Sequence, residues 1–155
     1  MLGSQSGMGR AGRTIVGLVA VAALAGCNPF MTMNGDGVQR PAASEFGLGP
    51  RNSAGGAYVA TIETSQPLRV RRMQTVKLTL RGADRASVDG ATIVVDGGMP
   101  EHGHGLPTEP RVTRNLGAGV YQVEGLKFNM GGWWELRFRI ESAAGADSVT
   151  FNLDL

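Results

Sequence analysis

The alternation in residues 134–140 restricts the fold more than anything else in the chain. Trp134, Leu136, Phe138 and Ile140 alternate with Glu135, Arg137 and Arg139, a period of two that suits a half-buried β-strand and no helix. The same texture recurs where Val76, Leu78 and Leu80 alternate with Thr75, Lys77 and Thr79. It returns where Val149, Phe151, Leu153 and Leu155 alternate with Ser148, Thr150, Asn152 and Asp154. Shorter apolar stretches lie at 57–63, 91–95, 111–116 and 119–124, separated by Arg81-Gly82-Ala83-Asp84, Val88-Asp89-Gly90, Gly97-Gly98, Gly117-Ala118-Gly119 and Ala144-Gly145-Ala146-Asp147, all read as turn-forming groups. No stretch of this part has a 3.6-residue period of helical length. About seven short strands, each with one apolar face, predict an all-β domain over residues 57–155: an immunoglobulin-like antiparallel β-sandwich. The disulfide of antibody domains is excluded, because Cys27 is the only cysteine.

The N-terminus reads differently. Residues 1–14 carry Arg10 and Arg13 and no acid, and residues 15–25, IVGLVAVAALA, form an apolar run. About 20 residues are needed to span a bilayer, so this run has the length and flanks of a signal-peptide core. It closes in Leu24-Ala25-Gly26-Cys27, which resembles a bacterial lipoprotein lipobox. That resemblance implies cleavage after a signal peptide of residues 1–26 and acylation of Cys27 (diacylglycerol and palmitate). The mature protein is then expected outside the cytoplasm, in the cell envelope, anchored to a membrane by lipid and facing the periplasm. In a Gram-negative cell Asn28, where aspartate would signal inner-membrane retention, resembles an outer-membrane destination. Residues 27–56, rich in Gly, Pro, Ser, Asn and Ala, read as a lipidated flexible tether. Met31 and Met33 within it are soft potential ligands or plain linker methionines.

Charge then excludes a partner class. Without Arg10 and Arg13 the 15 basic residues fall to 13, equal to the 13 acidic ones, so no general electrostatic case for nucleic-acid binding remains. Arg69, Arg71 and Arg72 form one local basic cluster. It suits either anionic lipid headgroups or a solvated strand edge.

The chemistry-bearing residues concentrate between Asp96 and Pro110, DGGMPEHGHGLPTEP, read as one long irregular connection because of its three prolines and four glycines. It holds both histidines of the chain, His102 and His104, with Met99 and Glu101 beside them. A second Gly-rich corner, Phe128-Asn129-Met130-Gly131-Gly132-Trp133-Trp134, precedes the strongest strand. Neutral imidazole suits copper and zinc, and thioether sulfur selects Cu(I). If the two corners meet, His102, His104, Met99 and Met130 make a candidate copper site, with Trp133 as its shield. Zinc is served less well, since the histidines and Glu101 supply at most three preferred ligands. The competing reading keeps the histidines as turn caps and the methionines and tryptophans as core plugs.

Met99-Pro100-Glu101-His102-Gly103-His104-Gly105, Pro107-Thr108-Glu109-Pro110, Gly119-Val120-Tyr121 and Phe128-Asn129-Met130-Gly131-Gly132-Trp133-Trp134-Glu135-Leu136 together resemble the YtkA-like domain family, over about residues 58–155. Gly131 stands where the family commonly has proline. The resemblance implies a small extracytoplasmic β-sandwich. Through related FixH-like proteins, associated with copper-dependent cytochrome oxidase assembly, it also implies a connection to copper.

Enzymatic readings find little support. The chain has no Gly-x-Ser-x-Gly elbow, P-loop or dinucleotide fingerprint. No serine lies within ten residues of either histidine, so no nucleophile and base are adjacent in sequence. The expectation is therefore a non-enzymatic, membrane-anchored lipoprotein that binds or delivers copper. The alternative is an envelope protein-interaction module in which the HGHG segment is only a structural corner.

Overall fold

The computed structural model describes residues 37–155. The expected signal peptide, Cys27, Met31 and Met33 lie outside the described residues. Within them the alternating segments become antiparallel strands: β1 (Arg51–Asn52), β2 (Tyr58–Glu63), β3 (Met73–Gly82), β4 (Thr92–Met99), β5 (His104–Gly105), β6 (Arg111–Gly117), β7 (Val120–Lys127), β8 (Trp133–Ser142) and β9 (Gly145–Asp154).

Their order is β1-β2-β3-β7-β6-β4-β8-β9, with β5 added to β4. A single residue pair, Val94 with Arg111, joins β4 to β6. The sheet therefore folds there into two layers, β2-β3-β7-β6 and β4-β8-β9, the strand order of an immunoglobulin-like sandwich. Leu78, Leu80, Tyr121 and Val123 from the first layer and Trp134, Leu136, Phe138, Val149 and Phe151 from the second are fully buried between them. Each such aliphatic or aromatic side chain contributes roughly 1.5–3 kcal/mol by leaving water. Phe138 and Phe151 meet edge to face at 5.8 Å.

All-β architecture and antiparallel pairing agree with the sequence reading; the strand count is nine rather than about seven. The two additional strands are the two-residue β1 and β5, too short to show a period. A second difference concerns the expected loop from Asp96 to Pro110. Asp96 to Met99 continue β4, and Asp96 to Gly98 pair with β8, Asp96 opposite Arg137 and Gly98 opposite Glu135. Glycine here serves close approach rather than looping: a Cβ on Gly97 would stand 2.6 Å from the Glu135 carbonyl oxygen, and one on Gly98 2.7 Å from that of His104.

The described part of the 27–56 segment is also attached to the sandwich. Phe46 bridges Asn152 of β9, and the Gly47 N–H donates to the Asn152 carbonyl at 2.9 Å. Further along, Ala54 N–H donates to the Ser148 carbonyl at 2.9 Å. These contacts cover the β9 edge, which would otherwise present unpaired backbone groups.

Candidate functional site

Met99 and His104 face each other across a tight hairpin. The two are paired in register, with Pro100 to Gly103 as the connection. The Met99 carbonyl accepts the N–H groups of His102 at 3.1 Å and Gly103 at 2.9 Å. Gly103 takes φ +65 to close the turn, a conformation glycine adopts without strain. Directly opposed strand residues project to the same face, so the inward-facing Met99 carries His104 in beside it.

His104 rests on Trp134, ring centroids 5.6 Å apart in an edge-on arrangement. Trp134 in turn packs edge-on against Phe128 at 5.2 Å, and its indole N–H donates to the Met130 carbonyl at 3.0 Å. Met99 reaches toward the same corner: a Cβ on Gly132 would stand 2.9 Å from its Cε. The two corners singled out in the sequence thus meet at one end of the sandwich. Met99 is buried there, His104 is half-buried, and His102 and Met130 are exposed.

The imidazoles of His102 and His104 lie 5.9 Å apart, tilted by 30°. His104 Nδ1 is 3.1 Å from the Gly105 carbonyl oxygen. A carbonyl only accepts, so in this contact Nδ1 carries the proton, which leaves Nε2 as the nitrogen that can ligate. That is the tautomer a metal-ligating histidine needs. Among the described residues no group of three or more His, Cys, Asp or Glu side chains converges. The donor set at this end is two imidazoles with thioethers nearby, which fits Cu(I) better than zinc.

Trp133 is placed otherwise than expected. It points to the outer face of the β4-β8-β9 layer, where Phe46 covers it edge-on at 6.5 Å and its N–H donates to Asn152 Oδ1 at 3.0 Å. The tryptophan against the histidine is Trp134, its neighbour on the inward face. Period-two alternation from Leu136 back to Trp134 carried that signal. Arg40 is a further residue the sequence did not single out; it pairs with Asp154 at 2.8 Å, reaches Glu101 of the hairpin at 3.9 Å, and lies over the Phe46 ring.

Beside the hairpin a hollow of about 500 Å³ is lined by Val38, Asp96, Met99, His104, Glu135 and Arg137 among others. Arg137 ties both acids, Glu135 at 3.0 Å and Asp96 at 3.1 Å. Burial draws the Asp96 carboxyl upward, but the Gly97 N–H and the Arg137 guanidinium outweigh it and hold its pKa below the ordinary value. These acids are already committed to Arg137.

The sequence pattern of the YtkA-like family matches residues 53–139, more than half of the chain. The chain belongs to the YtkA-like family. No curated protein and no solved structure matches it significantly. The matched span runs from the start of the sandwich to the middle of β8, so the YtkA-like pattern includes both the 99–104 hairpin and the 128–134 corner.

Proposed function

We propose that this YtkA-like protein is a lipoprotein of the cell envelope, anchored through acylated Cys27, that binds or delivers copper and performs no catalysis of its own. The observation that supports it most is the pairing of Met99 with His104 on the inward face of one hairpin, against Trp134 and beside the Met130 corner. His104 through Nε2 and His102 would hold the ion, with sulfur from Met99 and Met130. Such an ion would supply a transferable soft cation and nothing more. Thioether and imidazole ligands suit an oxidising compartment, where a thiolate site is easily lost.

The test is titration of the chain from Asn28 with Cu(I) and Cu(II), beside His102→Ala/His104→Ala. Loss of even a group that orients a metal ligand costs about 10–100-fold in affinity, so the double variant is expected to bind more than about 100-fold more weakly. Equal affinities would remove the hairpin from the mechanism. A second reading, an envelope protein-interaction module, is favoured by the packing of His104 on Trp134 and its contact with Gly105. It expects the double variant to lose thermal stability while copper affinity stays unchanged.

A further inference from the structure

The end of the sandwich that carries the histidines also carries an unpaired basic patch. Arg69, Arg71 and Arg72 lie in the connection from β2 to β3 and are all exposed. This connection is fastened to the Met130 corner: Val70 bridges Phe128, and the Arg71 N–H donates to the Phe128 carbonyl at 2.6 Å. Lys127 joins the patch, paired in register with Met73. Among the described residues no carboxylate lies within ion-pair distance of these four cations. By contrast Glu101 and Asp154 engage Arg40, and Glu109 engages Arg111. Two large apolar side chains protrude at the same end, Met73 with 63% and Met130 with 38% of its surface exposed.

Two further observations give the patch a direction. Arg71 holds φ at +61, a left-handed conformation that costs a non-glycine residue free energy. Val38 and Arg40 also lie at this end: Val38 lines the hollow beside Met99 and His104, and Arg40 reaches Glu101. The ten peptide steps from Cys27 to Gly37 extend to about 35 Å at most. An acylated Cys27 would keep this end within that distance of the bilayer.

We propose that this end docks on anionic phospholipid headgroups, with Arg69, Arg71, Arg72 and Lys127 over the phosphates and Met73 inserted at the interface. Docking in this way turns the hairpin toward the membrane surface. The inference rests on the lipoprotein reading, but its test does not need the lipid. The chain from Asn28, without Cys27, is sedimented with vesicles of phosphatidylglycerol and phosphatidylcholine mixed equally, and with pure phosphatidylcholine. It is expected to bind the anionic vesicles alone, and less as salt rises.

Each cation near an anionic leaflet contributes about 1 kcal/mol, so Arg69→Gln/Arg71→Gln/Arg72→Gln should weaken binding about 100-fold. Arg81→Gln/Arg85→Gln, at the far end, should leave it unchanged. Arg71→Gly removes a charge and the backbone strain together. It should bind several-fold more weakly with a melting temperature no lower than the parent's, which separates loss of binding from loss of fold. Equal binding to both vesicle types, an unaffected triple variant, or binding to an acidic peptide in place of vesicles would each overturn the assignment. The copper titration and the mass of acylated Cys27 are read separately, so either can fail or stand without deciding this one.

Discussion

The two ends of the sandwich are built from the same strands and use their polar residues in opposite ways. At the end formed by residues 53–57, 82–92, 117–119 and 142–147, side chains are committed to the protein's own backbone. Asp147 accepts the N–H groups of Gly55 and Ala57, and Asp89 accepts that of Gly119. The Tyr58 hydroxyl donates to the Gly145 carbonyl. The Tyr121 hydroxyl donates to Val88 at 2.7 Å and accepts from Ala91 at 3.0 Å, and burial raises its pKa. At the other end His102, Met130 and three arginines face solvent; Trp134 and the 99–104 hairpin frame the first two, and backbone contacts to Phe128 hold the arginine segment. One end is closed for stability. The other leaves functional groups available.

The largest disturbance of that contrast is Trp134→Ala. Trp134 is fully buried and holds His104, Phe128 and the Met130 carbonyl. Truncating a buried tryptophan costs about 3–5 kcal/mol, to be read from urea unfolding. Copper affinity of the folded fraction should fall as well, because the hairpin loses its support. A stability loss with copper affinity intact would uncouple the frame from the ligands.

A glycine at each end sharpens the comparison at intermediate cost. Gly119 sits at φ +72 in the tight turn between β6 and β7, and a Cβ there would meet the Leu80 carbonyl oxygen at 2.4 Å and the Val88 nitrogen at 3.1 Å. Backbone cannot yield cheaply, so Gly119→Ala should cost about 3 kcal/mol or more. Gly132 at φ +118 meets only the Met99 Cε, the tip of a flexible side chain. Gly132→Ala should cost about 1–3 kcal/mol from its backbone alone, while displacing Met99 and altering copper binding. Thermal melts that rank Gly132→Ala as the costlier change would contradict a rigid far end and an adaptable site end.

What could be read beforehand divides along the same line. The sandwich was legible because its strands keep strict alternation, as Trp134 to Ile140 do, and because Gly117-Ala118-Gly119 marks its turn. The meeting of the two corners was posed by the sequence but depended on register: only the pairing of Met99 with His104 sets their shared face. Extension of β4 through Gly97 and Gly98 was hidden, since glycine signals a loop until a neighbouring carbonyl is known to press against it. Attachment of residues 43–52 was hidden for another reason. Phe46 is a lone aromatic among Gly, Pro and Ser, with no period to show that it covers Trp133.

The smallest effect expected concerns pH at the closed end. The Ser53 hydroxyl, then the Gly55 N–H and the further backbone donors Ser148 and Ala57, lower the Asp147 pKa from 3.8 to about 2. A carboxylate with a depressed native pKa stabilises the fold above its unfolded pKa, and that contribution disappears as pH falls through the native one. The melting temperature should therefore decline between about pH 4 and pH 2, and Asp147→Asn should flatten part of that decline. At pH 7 the variant should melt slightly lower, and its Gly55 and Ala57 amides should exchange faster. The Gly97 amide, held by Asp96 at the site end, should exchange at the parent's rate. Faster exchange there would mean that the closed end also supports the open one, and the two ends would no longer be separable.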